Sequence, residues 1–375
     1  MRRFHIALAL MILIVGMLTA CSGGSGSKDQ ETDGGGLKYA TMLTMTDRDD
    51  GITVARIRNP WDTTTLLDTY ILVPDSLERI PAGLPEGTVI RTPIKGLTLF
   101  ASVHASPIAE LGAESVVNSV VDPAYFTSGF VARGIADGTI INCGNSAAPS
   151  PEKLLSSGTQ ALMLSMYKGM EVKGIDRLGI PLIRMVDNME PTALGRAEWI
   201  RLIGALVGRR QQADSIFGRV ERDYNTIVVK DASNAKNAPT VMVDKMYQGV
   251  WYVPAGEGSH AHMIADAGGR YIWRDTKGQD ALPLSYEQVL DKARDADIWI
   301  MRIYGDDLSL DKLLKEDPRY SHFKATKRGG VYAVNTQKHN VFEETVFHPE
   351  ILLREYKVLI SGAPDDSLRY YRRVR

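Results

Sequence analysis

The chain has 375 residues, with 44% hydrophobic and 24% charged side chains, and 45 acidic against 44 basic groups leave a net charge of −1. This is an ordinary globular composition, and the absence of a basic excess excludes a nucleic-acid binder that works by neutralising phosphates. Two cysteines, Cys21 and Cys143, are too few for a disulfide framework of the kind that holds small exported domains together.

The N-terminus carries Arg2 and Arg3, then an apolar run over 6–17. Such a run is shorter than the roughly 20 residues a membrane span needs. With its positive start and small residues it has the form of an export signal. The run ends in Leu18-Thr19-Ala20-Cys21, which resembles the bacterial lipobox, whose cysteine becomes the lipidated first residue of the mature chain. The alternative is an ordinary cleaved signal followed by a chance cysteine. Residues 22–36 contain no apolar side chain and read as a flexible tether. The folded remainder, about 340 residues, has the length of two domains or of one domain with two cores.

Residues 37–100 are rich in Thr, Val, Ile and Leu with turns at Asp49-Asp50-Gly51, Asn59-Pro60 and Pro85-Glu86-Gly87, which predicts short strands and hairpins. A strand over 97–103 leads to a helix from Ser106-Pro107 to Leu111, stopped by Gly112. A helix follows over 151–157 with Ser150 as N-cap and Pro151 at N1. Then come a buried strand over 161–165, a helix end at Ile175–Leu178 closed by Gly179, and a strand over 180–186. Strands alternating with helices predict a mainly parallel sheet, so the segment 37–190 reads as one α/β lobe.

The pattern then changes. From 191 to 235 the chain reads as one long helical linker, because Trp199, Ile200, Ile203, Leu206 and Val207 recur at helical spacing, with Gly204 and Gly208 as weak points and a bend near 208. Alternation returns over 236–375, the second lobe. Strands are expected over 240–244 and 250–254, paired as a hairpin, and over 298–303 and 330–334. Helices are expected over 260–267, 286–293, 308–314 and 349–360.

One pattern occurs in both lobes. When Glu152 is aligned with Glu287, Leu154 and Leu155 match Val289 and Leu290, Gly158 matches Ala293, and Ala161 matches Ala296, each helix leading into an apolar strand. With PTALGRAEWIRLIGALVG (191–208), WYVPAGEGSHAHMIADAGG (251–269) and GGVYAVNTQKHN (329–340), this order of segments resembles the substrate-binding proteins of bacterial ABC importers for vitamin B12, iron–siderophores and haem. In that class, the third by fold, two Rossmann-like lobes are joined by a rigid helix with the ligand in the cleft between them. The nearer resemblance is to the lipoprotein branch of the family in Bacteroidetes. The resemblance implies that Glu152 and Glu287 meet arginines on a permease dimer in the inner membrane. It also implies a monomeric protein, facing the periplasm and anchored through Cys21. The chemistry suits that role, since a carboxylate in a first helical turn is favoured by the helix dipole and is taken bidentately by arginine. The plainer reading is two ordinary first-turn glutamates.

The expected ligand site lies at the strand ends in the cleft. Candidates are Ser102, His104, Asn145 and Ser146 from the first lobe and Tyr247, Trp251, Tyr252, Asn340, Phe342 and Glu343 from the second. Trp251 and Tyr252 are neighbours on a strand, so one of them faces the core. Aromatic walls suit an iron chelate, haem or a corrinoid. Better-known members of the family place aromatics just before each glutamate, where this chain has Ser146 and Ala281, which counts against vitamin B12 in particular.

Other chemistries are weaker. His260 and His262 diverge if they sit on a helix, which argues against a zinc or manganese site. Cys143 reads as a buried small residue. The glycine-rich segment 254–260 lacks the Lys-Ser/Thr of a phosphate loop. No G-x-S-x-G or H-E-x-x-H motif is present, and the expectation is a binding protein without cofactor rather than an enzyme. Capture at the cell surface for an outer-membrane receptor is a further alternative; Ser22-Gly23-Gly24-Ser25 lacks the acidic cluster associated with surface export.

Overall fold

The Thr/Val/Ile-rich opening forms a four-stranded sheet of β1 (Leu43–Asp47), β2 (Thr53–Arg58), β3 (Leu66–Pro74) and β4 (Thr88–Thr92). The first three strands are antiparallel neighbours, whereas β4 returns parallel to β3 by way of the 75–87 segment, so this last pair is a crossover and not the expected hairpin. The computed structural model describes residues 36–171, 174–230 and 237–375. The export signal, Cys21 and the tether up to residue 35 lie outside the described residues, as does most of the polar loop after the linker.

A second sheet is built from β5 (Leu97–Leu99), β6 (Val117–Val120), β7 (Ile141–Asn142), β10 (Ala161–Ser165) and β11 (Leu182–Met185), with a small hairpin of β8 (Gly144–Asn145) and β9 (Ala148–Pro149) after β7. Its order is β11-β10-β5-β6-β7 and its pairings are parallel. The connections carry α1 (Ala105–Glu110), α2 (Gly129–Asp137) and α3 (Pro151–Ser156). The interior strand β10 is apolar on both faces, with four of its five residues buried, as a parallel strand covered on both sides requires. The four-stranded sheet is fixed to this lobe at its β11 edge. Arg184 donates to Asp68 at 2.9 Å and the Arg184 backbone N–H to the Tyr70 hydroxyl at 2.8 Å.

The linker is not one helix. It consists of α4 (Ala193–Glu198), α5 (Ile200–Leu206) and α6 (Arg210–Ile227). The chain tightens at Trp199, whose N–H bonds to Arg196 O, three residues back. It turns at Gly208, with φ +70, close to the expected bend. Gly204 is required at this corner, since a Cβ there would lie 2.5 Å from Ala213 Cβ on α6. On α6, Ala213, Ile216, Phe217, Val220, Tyr224 and Ile227 are buried, the i, i+3, i+4 stripe of an amphipathic helix.

Two buried glutamates tie the start of the folded chain to this linker. Glu198 accepts from the backbone N–H groups of Lys38, Tyr39 and Ala40 at 3.0, 2.7 and 2.9 Å. Glu190 accepts from Thr41 and Met42 N–H and from Trp199 Nε1 at 2.7, 2.9 and 2.8 Å.

The second lobe repeats the architecture. It contains β12 (Thr240–Val243), β13 (Met246–Tyr247), β14 (Val250–Pro254), β15 (Arg270–Tyr271), β16 (Ala281–Leu284), β17 (Ile298–Ile303), β18 (Val331–Asn335) and β19 (Arg372–Arg373). The main sheet has the order β15-β12-β17-β18-β19 and only its β19 pairing is antiparallel. The expected hairpin between 240–244 and 250–254 is not formed. β12 stays in the parallel sheet, and β14 pairs with β13 and β16 in a separate sheet. The helices are α7 (Ser259–Asp266), α8 (Tyr286–Ala293), α9 (Leu310–Glu316), α10 (Lys324–Arg328), α11 (Val341–Thr345) and α12 (Pro349–Ser361). Among the described residues no helix is long and apolar enough to cross a membrane.

The repeated pattern has a structural counterpart. Ser150 caps α3 and Ser285 caps α8 with a full capping box to Gln288. Leu154 and Val289 are fully buried at matching places. α3 precedes β10 and α8 precedes β17, both interior strands of their sheets. A crossover helix runs antiparallel to the strand it feeds, so both glutamates lie on the side of the strands' carboxyl ends.

Candidate functional site

The carboxyl ends of the parallel strands carry an unusual surface. Among the described residues, the exposed aromatic side chains are Tyr125, Tyr167, Tyr247, Tyr252, Tyr304 and Phe342, from 44% (Phe342) to 67% (Tyr247) accessible. Each follows the carboxyl end of a strand of one main sheet or the other. Tyr125 comes after β6, Tyr167 after β10, Tyr247 and Tyr252 after β12, Tyr304 after β17 and Phe342 after β18. Single exposed apolar residues are commonplace, but their restriction to one edge of two sheets marks a contact surface.

In the second lobe three of these residues, Tyr247, Tyr252 and Tyr304, border a cavity of about 610 Å³ that Ala281, Asp244 and Arg302 also line, and Phe342 lines a smaller cavity beside it. This lies in the size range of small-molecule sites. Asp244 and Arg302 form a forked pair, with Arg302 Nε donating to Asp244 Oδ1 at 3.1 Å and Nη2 to Oδ2. Burial alone would raise Asp244, but the Arg302 charge more than offsets it and holds the carboxyl below its ordinary value. Asp244 itself has φ 55, a left-handed conformation that is uncommon outside glycine and frequent at functional sites. Asp122, just past the end of β6 in the first lobe, also has φ 55, and its carboxylate accepts from Ser146 N–H at 3.1 Å.

The carboxyl-end loops of the two sheets meet. Glu343 on α11 is 2% exposed and accepts from Thr127 N–H at 2.6 Å and from the Ser128 hydroxyl. The His104 and Phe347 rings are 6.5 Å apart. His348 bridges Glu110 on α1 at 2.6 Å and Glu350 on α12 at 2.9 Å. Burial lowers His348, but the two carboxylates outweigh it and raise the imidazole to about 10.

The residues expected from the sequence fall into two groups. Tyr247, Tyr252 and Phe342 are exposed at the strand ends, Asn145 and Ser146 are exposed on the β8–β9 hairpin, and Ser102 and Asn340 are half-buried beside α1 and α11. His104, Trp251 and Glu343 are buried, which corrects their assignment to the cleft wall. His104 Nε2 lies 3.3 Å from Asp187 Oδ1, in a group completed by Arg196. Trp251 donates to Val243 O at 3.0 Å and packs on Trp299, Tyr320 and Phe323 with centroids 5.6–5.8 Å apart. It is thus Tyr252 that faces outward from the adjacent pair. Glu343 joins the lobes. Sequence reasoning did not single out Tyr125, Tyr167, Tyr304 and Arg302. For Tyr167 and Tyr304 a signal was available, since each lies within two residues of a strand end placed correctly from the sequence.

Glu152 and Glu287 are exposed, and Glu287 lies 3.6 Å from Arg319. His262 Nδ1 lies 3.1 Å from Gly258 O, whereas His260 Nε2 lies 3.3 Å from the Tyr356 hydroxyl, so the two imidazoles diverge. Cys143 is buried and its thiol is raised by that burial. Among the described residues no group of three or more His, Cys, Asp or Glu side chains is placed to hold a metal ion.

Two α/β sheets whose carboxyl ends face each other across a helical linker form a known architecture. Residues 181–337 match the family model described as periplasmic binding protein. That match spans less than half of the chain. The chain is similar to an uncharacterized lipoprotein of Methanocaldococcus jannaschii, 25% identical over 349 residues that cover 84% of this chain and 82% of that one. Its fold matches a periplasmic haem-binding protein of Pseudomonas aeruginosa at TM-score 0.55 and 14% identity, over 74% of this chain and 94% of that one. It also matches an ABC-type Fe3+-hydroxamate transport protein of Saccharomonospora viridis at TM-score 0.54 and 17% identity, over 72% and 94%.

Proposed function

We propose that this chain is a periplasmic binding protein that captures an iron chelate, haem or a corrinoid in the cleft between its lobes and delivers it to the permease dimer of an ABC importer. The observation that carries the proposal is the confinement of the exposed aromatic side chains to the carboxyl ends of the parallel strands, beside a cavity of about 610 Å³. Flat aromatic faces suit a large, partly planar ligand, and Arg302 supplies the polar contact that orients it. The names of the structurally similar proteins, one haem-binding and one of Fe3+-hydroxamate transport, support the same ligand class. The protein acts as a monomer without a cofactor, tethered through lipidated Cys21 and facing the periplasm, and Glu152 and Glu287 are its contacts with the permease.

The test is titration of the purified protein with haemin, cyanocobalamin and a panel of ferric siderophores, followed by tryptophan fluorescence. Saturable quenching by one of them supports the reading and names the cargo. Silence across the panel from folded protein refutes this ligand class.

A further inference from the structure

Next to the tyrosine-bordered cavity lies a second, smaller one of about 180 Å³, and Arg302 and Pro254 line both. This smaller chamber is walled mainly by residues of α4, α7, α11 and α12. Its walls are largely aliphatic, with Met263, Val334, Val341, Val346 and Leu352 among them. Hydroxyls of Ser259, Thr345, Tyr356 and Tyr371 and the His260 imidazole also line it, and its charged groups are two guanidiniums, Arg196 and Arg302. Each guanidinium is held from one edge by an aspartate. Asp187, fully buried, accepts from Arg196 Nε at 3.0 Å, and Asp244 takes Nε and Nη2 of Arg302. Both arginines are therefore fixed in place, with another edge left for a ligand. Burial first, then the Arg302 charge, lowers His260 to about 4, so it adds no charge at neutral pH.

We propose that this chamber is a second compartment of the ligand site and takes a short aliphatic arm of the ligand ending in a carboxylate, which Arg196 and Arg302 hold. The inference rests on the ligand-capture reading above. The volume corresponds to roughly six waters at ~30 Å³ each, which is room for a short arm and not for a ring system. Apolar walls with charge-assisted donors match an alkyl carboxylate better than a sugar or a polyamine. Arg196 belongs to the linker and Arg302 to the second lobe, so an arm held by both joins the linker to that lobe.

The experiment uses hexanoate and its neutral isostere hexanamide as probes, with the arginine Nε–H signals of the 15N-labelled protein as readout. Hexanoate is expected to shift the Arg196 and Arg302 signals saturably and hexanamide to leave them unmoved. Arg302→Met should weaken hexanoate by about ten- to a hundredfold. Ser259→Phe, which fills the chamber while leaving both ion pairs intact, should abolish the shift. No response to hexanoate, an equal response to hexanamide, or a response that survives Ser259→Phe overturns the proposal. A panel ligand that binds protein unresponsive to hexanoate sinks the chamber alone. A hexanoate response without binding of any panel ligand keeps the chamber and refutes the iron-chelate or corrinoid class.

Discussion

His348 shows how a single residue fastens the two lobes. It lies between Glu110 of the first lobe and Glu350 of the second, and their charges raise it from its usual 6.5 to about 10. A raised histidine contributes stability that is full below about 6.5 and is lost as pH rises through about 10. His348→Gln should therefore lower the unfolding free energy most at pH 6, by about 1–3 kcal/mol, and the gap from wild type should close as pH approaches 10. A gap independent of pH would show that the imidazole acts by packing alone. The residue scale is also where the sequence was least informative. Period-two alternation required that one of Trp251 and Tyr252 face inward, but the choice depends on Trp299, Tyr320 and Phe323, which are distant in sequence and adjacent only after folding. His104 and Glu343 are polar and stand at strand ends, as ligand contacts do. Their partners, Asp187 for the one and Thr127 and Ser128 for the other, come from elsewhere in the chain and take them out of the cleft.

Among the elements, the linker carries the clearest mechanical consequence. Its three helices are shorter than the single helix read from periodicity, because Trp199 and Gly208 interrupt the backbone without interrupting the apolar stripe. Pattern reports the buried face and is blind to a break that keeps it. The start of the folded chain is bound to this linker by Glu190 and Glu198 rather than to the outer surface of either lobe. Glu198→Ala leaves three backbone N–H donors, those of Lys38, Tyr39 and Ala40, without their acceptor. The expected cost is about 2–4 kcal/mol in chemical denaturation, with faster amide exchange confined to the first folded residues at mild denaturant. Unchanged stability would show that the carboxylate is dispensable to the clamp. The helices and strands around the repeated glutamate pattern were legible almost to the residue, because caps and buried runs are local signals. β6, β7 and β16 are as short as β11 and β12 but interrupt their apolar residues with Asn118 and Ser119, Asn142 and Pro283, so they carry no apolar run to be seen.

For the whole molecule, the repetition in sequence corresponds to two equivalent lobes, each presenting a capped helix with an exposed first-turn glutamate on the side of the cleft. Glu152→Lys with Glu287→Lys should abolish uptake of the cargo in cells while leaving its dissociation constant unchanged. An equal loss of affinity would place these residues in the pocket or in the fold. The linker and the contacts of α11 with the first lobe restrict opening, so a small change in cleft width on binding is expected and not a wide closure. The central claim is that the cargo is gripped between the carboxyl ends of both sheets. It is tested most directly by calorimetric titration of the quenching ligand into Tyr167→Ala and Tyr304→Ala, one variant from each lobe. The account predicts one ligand per chain and a loss of about 1–3 kcal/mol in each variant, with unfolding temperatures near that of wild type. Undiminished binding in either variant would contradict a site shared by the two lobes.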